Sequence, residues 1–330
     1  GVPFLAHQLS KAAAAGVTRV ILATAYRAPM FSECLGDGSA FGLEICYVHE
    51  DSPLGTGGAI RNASPALRGD ADSPVIVLNG DILSGHDLAA QVETHVKTDA
   101  AVTLHLVEVA EPARFGCVPA DPSGRVTAFL EKTPDPVTNR INAGCYVFRR
   151  GMIDKIPPDA VVSVERETFP GLIASGELVM AYVDRSYWLD VGTPEAFVRG
   201  SCDLVLGRLT SPALRATPGV PGEKLLLGAA SVHPEAVAED GTVVGDGAVI
   251  EAGAQVTGSV LFAGAKVGAD ARVRGSVLGR DAQAGPGTVL DCAVVGDGAS
   301  IAAGNELRAG ARLWPGVRLG PTSVRFSTDV

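Results

Sequence analysis

With 330 residues, 46% of them apolar, the chain can bury a full core, and on a prior of roughly 150 residues per domain it reads as about two domains. A formal charge of -10 argues against a general nucleic-acid or membrane-surface role, because both need a basic face; an anionic ligand here needs local help from a cation or a few placed Lys and Arg. No apolar run reaches the length of a membrane span, no secretory signal opens the chain, the histidines keep no zinc spacing, and the six scattered cysteines read as reduced residues of a cytoplasmic protein.

The opening Gly1-Val-Pro-Phe runs directly into a helical pattern from Phe4 to Ala15. A doubly wound domain normally starts with a strand, so the chain reads as clipped at its front. Strand-like runs then alternate with helical ones. Thr18 to Thr24, Glu44 to His49 and Val75 to Leu78 are β-branched and apolar, while Ala28 to Leu35, Gly57 to Leu67 and His86 to Lys97 have helical composition or spacing. Further strands are expected at Ala101 to Val107, Val126 to Leu130, Ile141 to Phe148 and Leu178 to Val183, and a last helix from Pro194 to Val205. This alternation predicts an α/β domain over residues 1–207, Rossmann-like, with a mostly parallel sheet covered on both faces. Residues 208–222, rich in Pro and Gly, read as a linker.

From Val244 the composition changes. Aliphatic residues recur at Val244, Ile250, Val256, Leu261, Val267, Val273, Leu278, Ala284, Leu290, Val295, Ile301, Leu307 and Leu313, in steps of 6, 6, 5, 6, 6, 5, 6, 6, 5, 6, 6 and 6. Hexads separated by Gly-Asp-Gly or Ala-Gly-Ala are the mark of a parallel β-helix, in which each hexad forms one face of a triangular coil. Every third hexad is one residue short, which predicts a coil of 17 residues and a shortened turn stacked along one corner. Residues 223–330 are assigned to this domain. Some hexapeptide proteins are acyltransferases that use a His on a coil; the repeat from Val244 to Leu313 has none, since His233 precedes it.

Several short motifs of the first domain could carry chemistry. Val77-Leu-Asn-Gly-Asp81 reads as a buried strand that ends on a small turn with one carboxylate. In an open α/β sheet ligands bind beyond the carboxyl ends of the strands, so Asp81 stands where a nucleotide and a magnesium ion belong; the competing reading is a cap for the next helix. Leu54-Gly-Thr-Gly-Gly-Ala59 offers backbone N–H groups to a flat ligand or phosphate, or is an ordinary turn. Glu131-Lys132 ends a strand and can meet a sugar phosphate, or is a solvated pair. In Trp188-Leu-Asp-Val-Gly-Thr-Pro194, Asp190 is a second isolated carboxylate, with Thr193-Pro194 the better helix cap.

In their order, Gly-Thr-Gly-Gly, Leu-Asn-Gly-Asp, Phe-Gly-Cys-Val, Glu-Lys, Asn-Ala-Gly, Val-Glu-Arg-Glu and Trp-Leu-Asp-Val-Gly-Thr-Pro, followed by a hexad β-helix, resemble the sugar-1-phosphate nucleotidyltransferases. Within that family the chain looks closest to the bacterial enzymes that act on mannose 1-phosphate and GTP. The resemblance implies a nucleotidyltransferase domain followed by a left-handed β-helix, and GDP-mannose and pyrophosphate as products. It implies that Gly55, Thr56, Gly57 and Gly58 border the purine, that Asn79 and Gly80 lie near the ribose, and that Asp81 and Asp190 hold Mg2+. Lys132 is implied to bind the phosphate of the sugar phosphate, with Glu131, Asn142, the backbone at Gly144 and Glu165 near the sugar. Family members open with Gly-Gly-x-Gly-Thr-Arg-Leu and a Pro-Lys-Pro segment, and neither is in this sequence. The visible residues leave open another sugar nucleotide pyrophosphorylase, using glucose 1-phosphate with dTTP, UTP or ATP, and a non-catalytic regulatory subunit that binds a nucleotide sugar. The exposed end of a coil stack needs a cover, which suggests a homo-oligomer through or near the β-helix.

Overall fold

A computed structural model describes residues 2–130, 135–215 and 217–325. The chain divides into two compact units, Pro3–Trp188 and Leu189–Val330, the latter with Gly1–Val2.

The first unit runs α1 (Phe4–Ala14), β1 (Arg19–Thr24), α2 (Ala28–Leu35), β2 (Glu44–His49), α3 (Gly55–Ala63), β3 (Pro74–Leu78), β4 (Ile82–Ser84), α4 (Leu88–Thr98), β5 (Val102–Glu108), β6 (Arg140–Arg149), α5 (Arg150–Asp154), α6 (Phe169–Ala174) and β7 (Val179–Asp184). β1 and β2 pair in parallel, and a second sheet has the order β3-β6-β5-β7. There β5 is parallel to β7, while β6 runs antiparallel to both of its neighbours.

β5 is central, and its alternation sorts side chains by face. Leu104 and Leu106 join Tyr146, Phe148, Phe169 and Val179 in the main core, whereas Thr103 and His105 turn toward polar groups of α4 and the loop before it. α1 covers the smaller sheet through Leu9, which packs with Leu35, Leu43 and Ile45. The strand expected over Val126 to Leu130 is not a ladder strand. Single antiparallel bridges join Val126 to Ala120 and Leu130 to Cys117, because the segment folds back on its own loop. The reading also lacks β4, which is too short for an alternation signal.

The second unit begins with β8 (Trp188–Asp190), which bridges the boundary, and α7 (Pro194–Val205), whose cap Thr193 accepts a hydrogen bond from the N–H of Ala196 at 3.2 Å. The rest is a parallel β-helix of three ladders. Central strands pair 17 residues apart, as in Val243 with Val260 and Val260 with Val277, and the spacing opens to 18 at the last coil, where Val294 meets Arg312. The aliphatic residue of each hexad points inward, so Val244, Leu261, Leu278 and Val295 stack in one dry core. Gly258, Gly275 and Cys292 all take positive φ at the short corner, one coil above another. Beside them the Ser259 and Ser276 hydroxyls accept hydrogen bonds from N–H groups 17 residues on, at 3.1 and 3.0 Å. α7 lays Val198, Cys202 and Val205 on the outward ladder Leu225–Val243–Val260. That outward apolar row thereby leaves water.

Candidate active site

The best-defined polar assembly of the first unit surrounds a bulge in β6. Opposite β5, Leu104 faces Tyr146 and Leu106 faces Asn142, so β6 carries two residues more than its partner over that interval. The three carbonyls within the bulge each have a donor, the one at Gly144 by continuing the ladder with β3. Trp188 Nε1 donates to Ala143 at 3.0 Å, the N–H of Asn79 to Gly144 at 2.8 Å and Gln91 Nε2 to Cys145 at 3.3 Å. Gly144 has φ +73°, and a Cβ there would lie 2.9 Å from Asn79 Nδ2 and from Ile82 Cγ1. Only glycine fits both the backbone and the space. A bulge of this kind re-aims side chains near a site.

Asn142 and Asn79 meet through this bulge. The Asn142 side chain accepts from the N–H of Gly144 at 3.1 Å and donates to the Tyr146 hydroxyl at 2.8 Å. Burial pushes the Tyr146 phenol up, and the nearby charge of Glu165 pushes it the same way. Glu165 is held by two hydroxyls, Thr56 and Ser163, each at 2.9 Å, while Thr56 accepts from the N–H of Val164 at 3.0 Å. Asn142, Gly144 and Asn79 thus form one hydrogen-bonded group with Tyr146, and Thr56, Ser163 and Glu165 form a second. Tyr146 and Ser163 escaped the sequence reading, because both lie in runs that look like ordinary core and loop.

The Gly-Thr-Gly-Gly motif differs from expectation. Gly55–Ala63 is itself helical, so the motif is the first turn of α3 and not a loop before it. Its glycines make room for chain: a Cβ on Gly55, Gly57 or Gly58 would stand 2.7, 2.9 or 2.4 Å from atoms of Val162 or Ala160. The N–H groups of Gly57 and Gly58 both donate to Val162 O, at 2.8 and 3.3 Å. These two donors are spent inside the protein, whereas Gly55 and Thr56 are exposed.

Asn79, Gly80 and Asp81 form the turn at the carboxyl end of β3, with Gly80 and Asp81 exposed. β4 follows, and it is Asp87, whose carboxylate accepts from the N–H of Ala90 at 2.9 Å, that caps α4. The capping alternative for Asp81 therefore fails. Asp190 lies in the second unit and accepts from the N–H of Gly192 at 2.9 Å, leaving the cap of α7 to Thr193. Glu131 and Lys132 fall outside the described residues.

Beneath the turn lies a polar cluster that no motif announced. Lys11 Nζ touches His86 Nδ1 at 2.9 Å, His86 Nε2 meets Gln91 Oε1 at 3.1 Å, and the His86 ring stacks on His105 at 3.8 Å. Burial lowers Lys11 to about 8, His86 to about 4 and His105 to about 2, and raises the Cys145 thiol to about 12. Among the described residues no three His, Cys, Asp or Glu side chains gather as a metal cluster. Mg2+ asks for less, since one or two carboxylates with substrate phosphates and waters complete its shell. An exposed carboxylate at a strand's carboxyl end, as at Asp81, suits that demand.

A mixed sheet with a polar turn at one strand's carboxyl end, followed by a hexad coil, defines a nucleotidyltransferase architecture. Residues 1–205 match the Nucleotidyl transferase family and residues 221–313 the GMPPB C-terminal domain, and the chain belongs to the Nucleotidyl transferase family. It is 52% identical to the mannose-1-phosphate guanylyltransferase of Mycobacterium tuberculosis over 331 aligned positions, covering 100% of this chain and 90% of that protein. It is 35% identical to the catalytic subunit beta of mannose-1-phosphate guanylyltransferase from Drosophila melanogaster, over 68% of this chain and 61% of that one. Among solved structures, HddC from Yersinia pseudotuberculosis is similar at 29% identity and a TM-score of 0.51, over 60% of this chain and 84% of that one. Among the described residues no helix is long and apolar enough to cross a membrane.

Proposed function

We propose that the protein transfers a guanylyl group from GTP to mannose 1-phosphate, giving GDP-mannose and pyrophosphate. The observation that carries this reading is the 52% identity, along the whole chain, with the Mycobacterium tuberculosis mannose-1-phosphate guanylyltransferase. HddC, solved with GMP-PN, supports a guanine nucleotide as the donor. In this reaction a phosphate oxygen of mannose 1-phosphate attacks the α-phosphorus of GTP. The new P–O bond forms as the bond to pyrophosphate breaks, so positioning and charge neutralisation suffice and no side-chain nucleophile is called for.

Asp81 and Asp190 would hold Mg2+, which neutralises phosphate charge when bound. Gly55 and Thr56 border the base, Asn79 and Gly80 lie by the ribose, and Lys132 offsets the sugar phosphate. Asn142, Gly144, Glu131 and Glu165 define the sugar pocket; the hydrogen bonds of Asn142 to Gly144 and Tyr146 at the bulge support the part played by Asn142 and Gly144. Six cysteines without a disulfide support a cytoplasmic setting, and the exposed Trp314 near the last coil supports a homo-oligomer.

Pyrophosphate release by the full-length protein, with GTP and mannose 1-phosphate against glucose 1-phosphate with dTTP, UTP or ATP, tests the assignment. Asp81→Asn should lower turnover by about 100-fold or more with the thermal midpoint kept. Near-normal turnover of that variant in saturating Mg2+ refutes the role of Asp81.

A further inference from the structure

Gln8 and Lys11 stand one turn apart on α1 and therefore share a face of the helix. While Leu9 and Ala12 are buried, these two polar side chains reach the segment from Asn79 to His86. Gln8 Nε2 donates to the carbonyl of Asn79 at 2.8 Å and to that of Ile82 at 2.9 Å. Both hydrogens of one amide are thus spent across a single turn, and the bridged carbonyls bracket Gly80 and Asp81. Lys11 Nζ continues the row with the carbonyl of Ser84 at 3.0 Å.

The internal closure of this turn is weak. Its own closing bond, from the N–H of Ile82 to Asn79 O, is long at 3.4 Å, and a Cβ on Gly80 would meet nothing within 4 Å. On the other side the N–H of Asn79 is anchored to Gly144 O. The two carbonyls that Gln8 spans flank Asp81 in the chain, so their separation bears on the direction in which Asp81 leaves the sheet.

We infer that Gln8 is a positioning residue for the reaction, clipping the Asn79–Ile82 turn so that the Asp81 carboxylate keeps the place a divalent cation and the nucleotide phosphates require. This rests on the role proposed for Asp81. The amide suits the task because it offers two donors from one nitrogen in a fixed plane, matching two carbonyls without adding charge beside the acid. A carboxylate of the same shape has no donor and would repel both carbonyl oxygens.

The test uses the full-length protein and the near-isosteric Gln8→Glu, with Gln8→Met as a second variant that keeps the packing volume and removes the donors. Both should lower kcat by about 10- to 100-fold, raise the Mg2+ concentration at half-maximal rate several-fold, and leave KM for mannose 1-phosphate within about two-fold. Amide hydrogen exchange at Asp81 and Ile82 should accelerate at least ten-fold, with exchange in β5 unchanged. If Gln8→Glu does not fold, Gln8→Met decides. A folded variant with wild-type kcat and cation dependence overturns the inference, as does one that only loses thermal stability. A wild-type protein inactive with GTP and mannose 1-phosphate sinks the functional reading instead, and unchanged exchange at Asp81 and Ile82 then removes the clip as well.

Discussion

At Gly58 a methyl group would stand 2.4 Å from the carbonyl oxygen of Ala160, a backbone atom that cannot swing away. Helix propensity alone favours alanine over glycine by about 1 kcal/mol within a helix. Overpacking against fixed backbone costs about 1–3 kcal/mol and wins. Gly58→Ala should therefore lower stability, read as a reduced urea midpoint, and a raised midpoint would show that residues 160–162 yield easily. The motif was visible in the sequence, but its reason was not. Glycines that admit a ligand and glycines that admit a neighbouring chain look alike until the segment about a hundred residues downstream is in place. Thr56 is a similar case: its hydroxyl is engaged with Val164 and Glu165, so its first duty is to hold the segment that carries the acid.

Among the elements, the β-helix was the most legible, because each inward residue repeats locally and each coil meets only its neighbours. The 6, 6, 5 spacing maps onto the 17-residue pairing, and the final unshortened steps map onto the 18-residue spacing of the last coil. Deleting residues 277–293, one whole coil, joins Ser276 to Val294 and keeps inward and outward positions in phase. The shortened protein should show an unchanged β spectrum by circular dichroism and a cooperative melt. Removing residues 277–292 instead shifts the phase by one and turns the aliphatic row toward water, so a markedly lower melting temperature is expected. Equal melts for the two deletions would contradict the coil register. The α/β unit was less legible. Its elements announced themselves by periodicity, but the bulge in β6 follows from pairing with β5, and no local pattern encodes it.

For the molecule as a whole, the buried histidines of the first unit set its response to acid. Burial lowers His7, His86 and His95 from 6.5 to about 4 and His105 to about 2. His86 is faced by Lys11 from α1, Ser84 from β4, Gln91 from α4 and His105 from β5, with Tyr182 of β7 beside the stacked rings and the charges of Asp87 and Asp184 acting in the opposite sense. Because the folded values lie below the unfolded one, stability is fully present above pH 6.5. It falls as the pH drops toward 4, where the unfolded chain binds protons that the folded state refuses. For His105 the loss between pH 7.5 and 5 is on the order of 2 kcal/mol. Lys11, lowered to about 8, adds only a slight slope, confined to the upper edge of that window. The urea midpoint should fall from pH 7.5 to 5, and His105→Phe should flatten that fall; an unchanged slope in the variant would mean that this ring does not carry it.

Sequence by itself determined the two kinds of architecture, the coil period, the family and the turn that presents Asp81, because each is written in contiguous residues: alternation, hexads, and an apolar run ending in Asn-Gly-Asp. Tertiary structure alone decided that Gln8 closes that turn, that Thr56 serves Glu165, that Asn142 reaches the Tyr146 hydroxyl across the bulge, and that Lys11 meets a stacked histidine pair. Those partners lie from four to more than a hundred residues apart. Only the packed sheet, which sets strand register and faces, brings such distant groups within hydrogen-bonding reach.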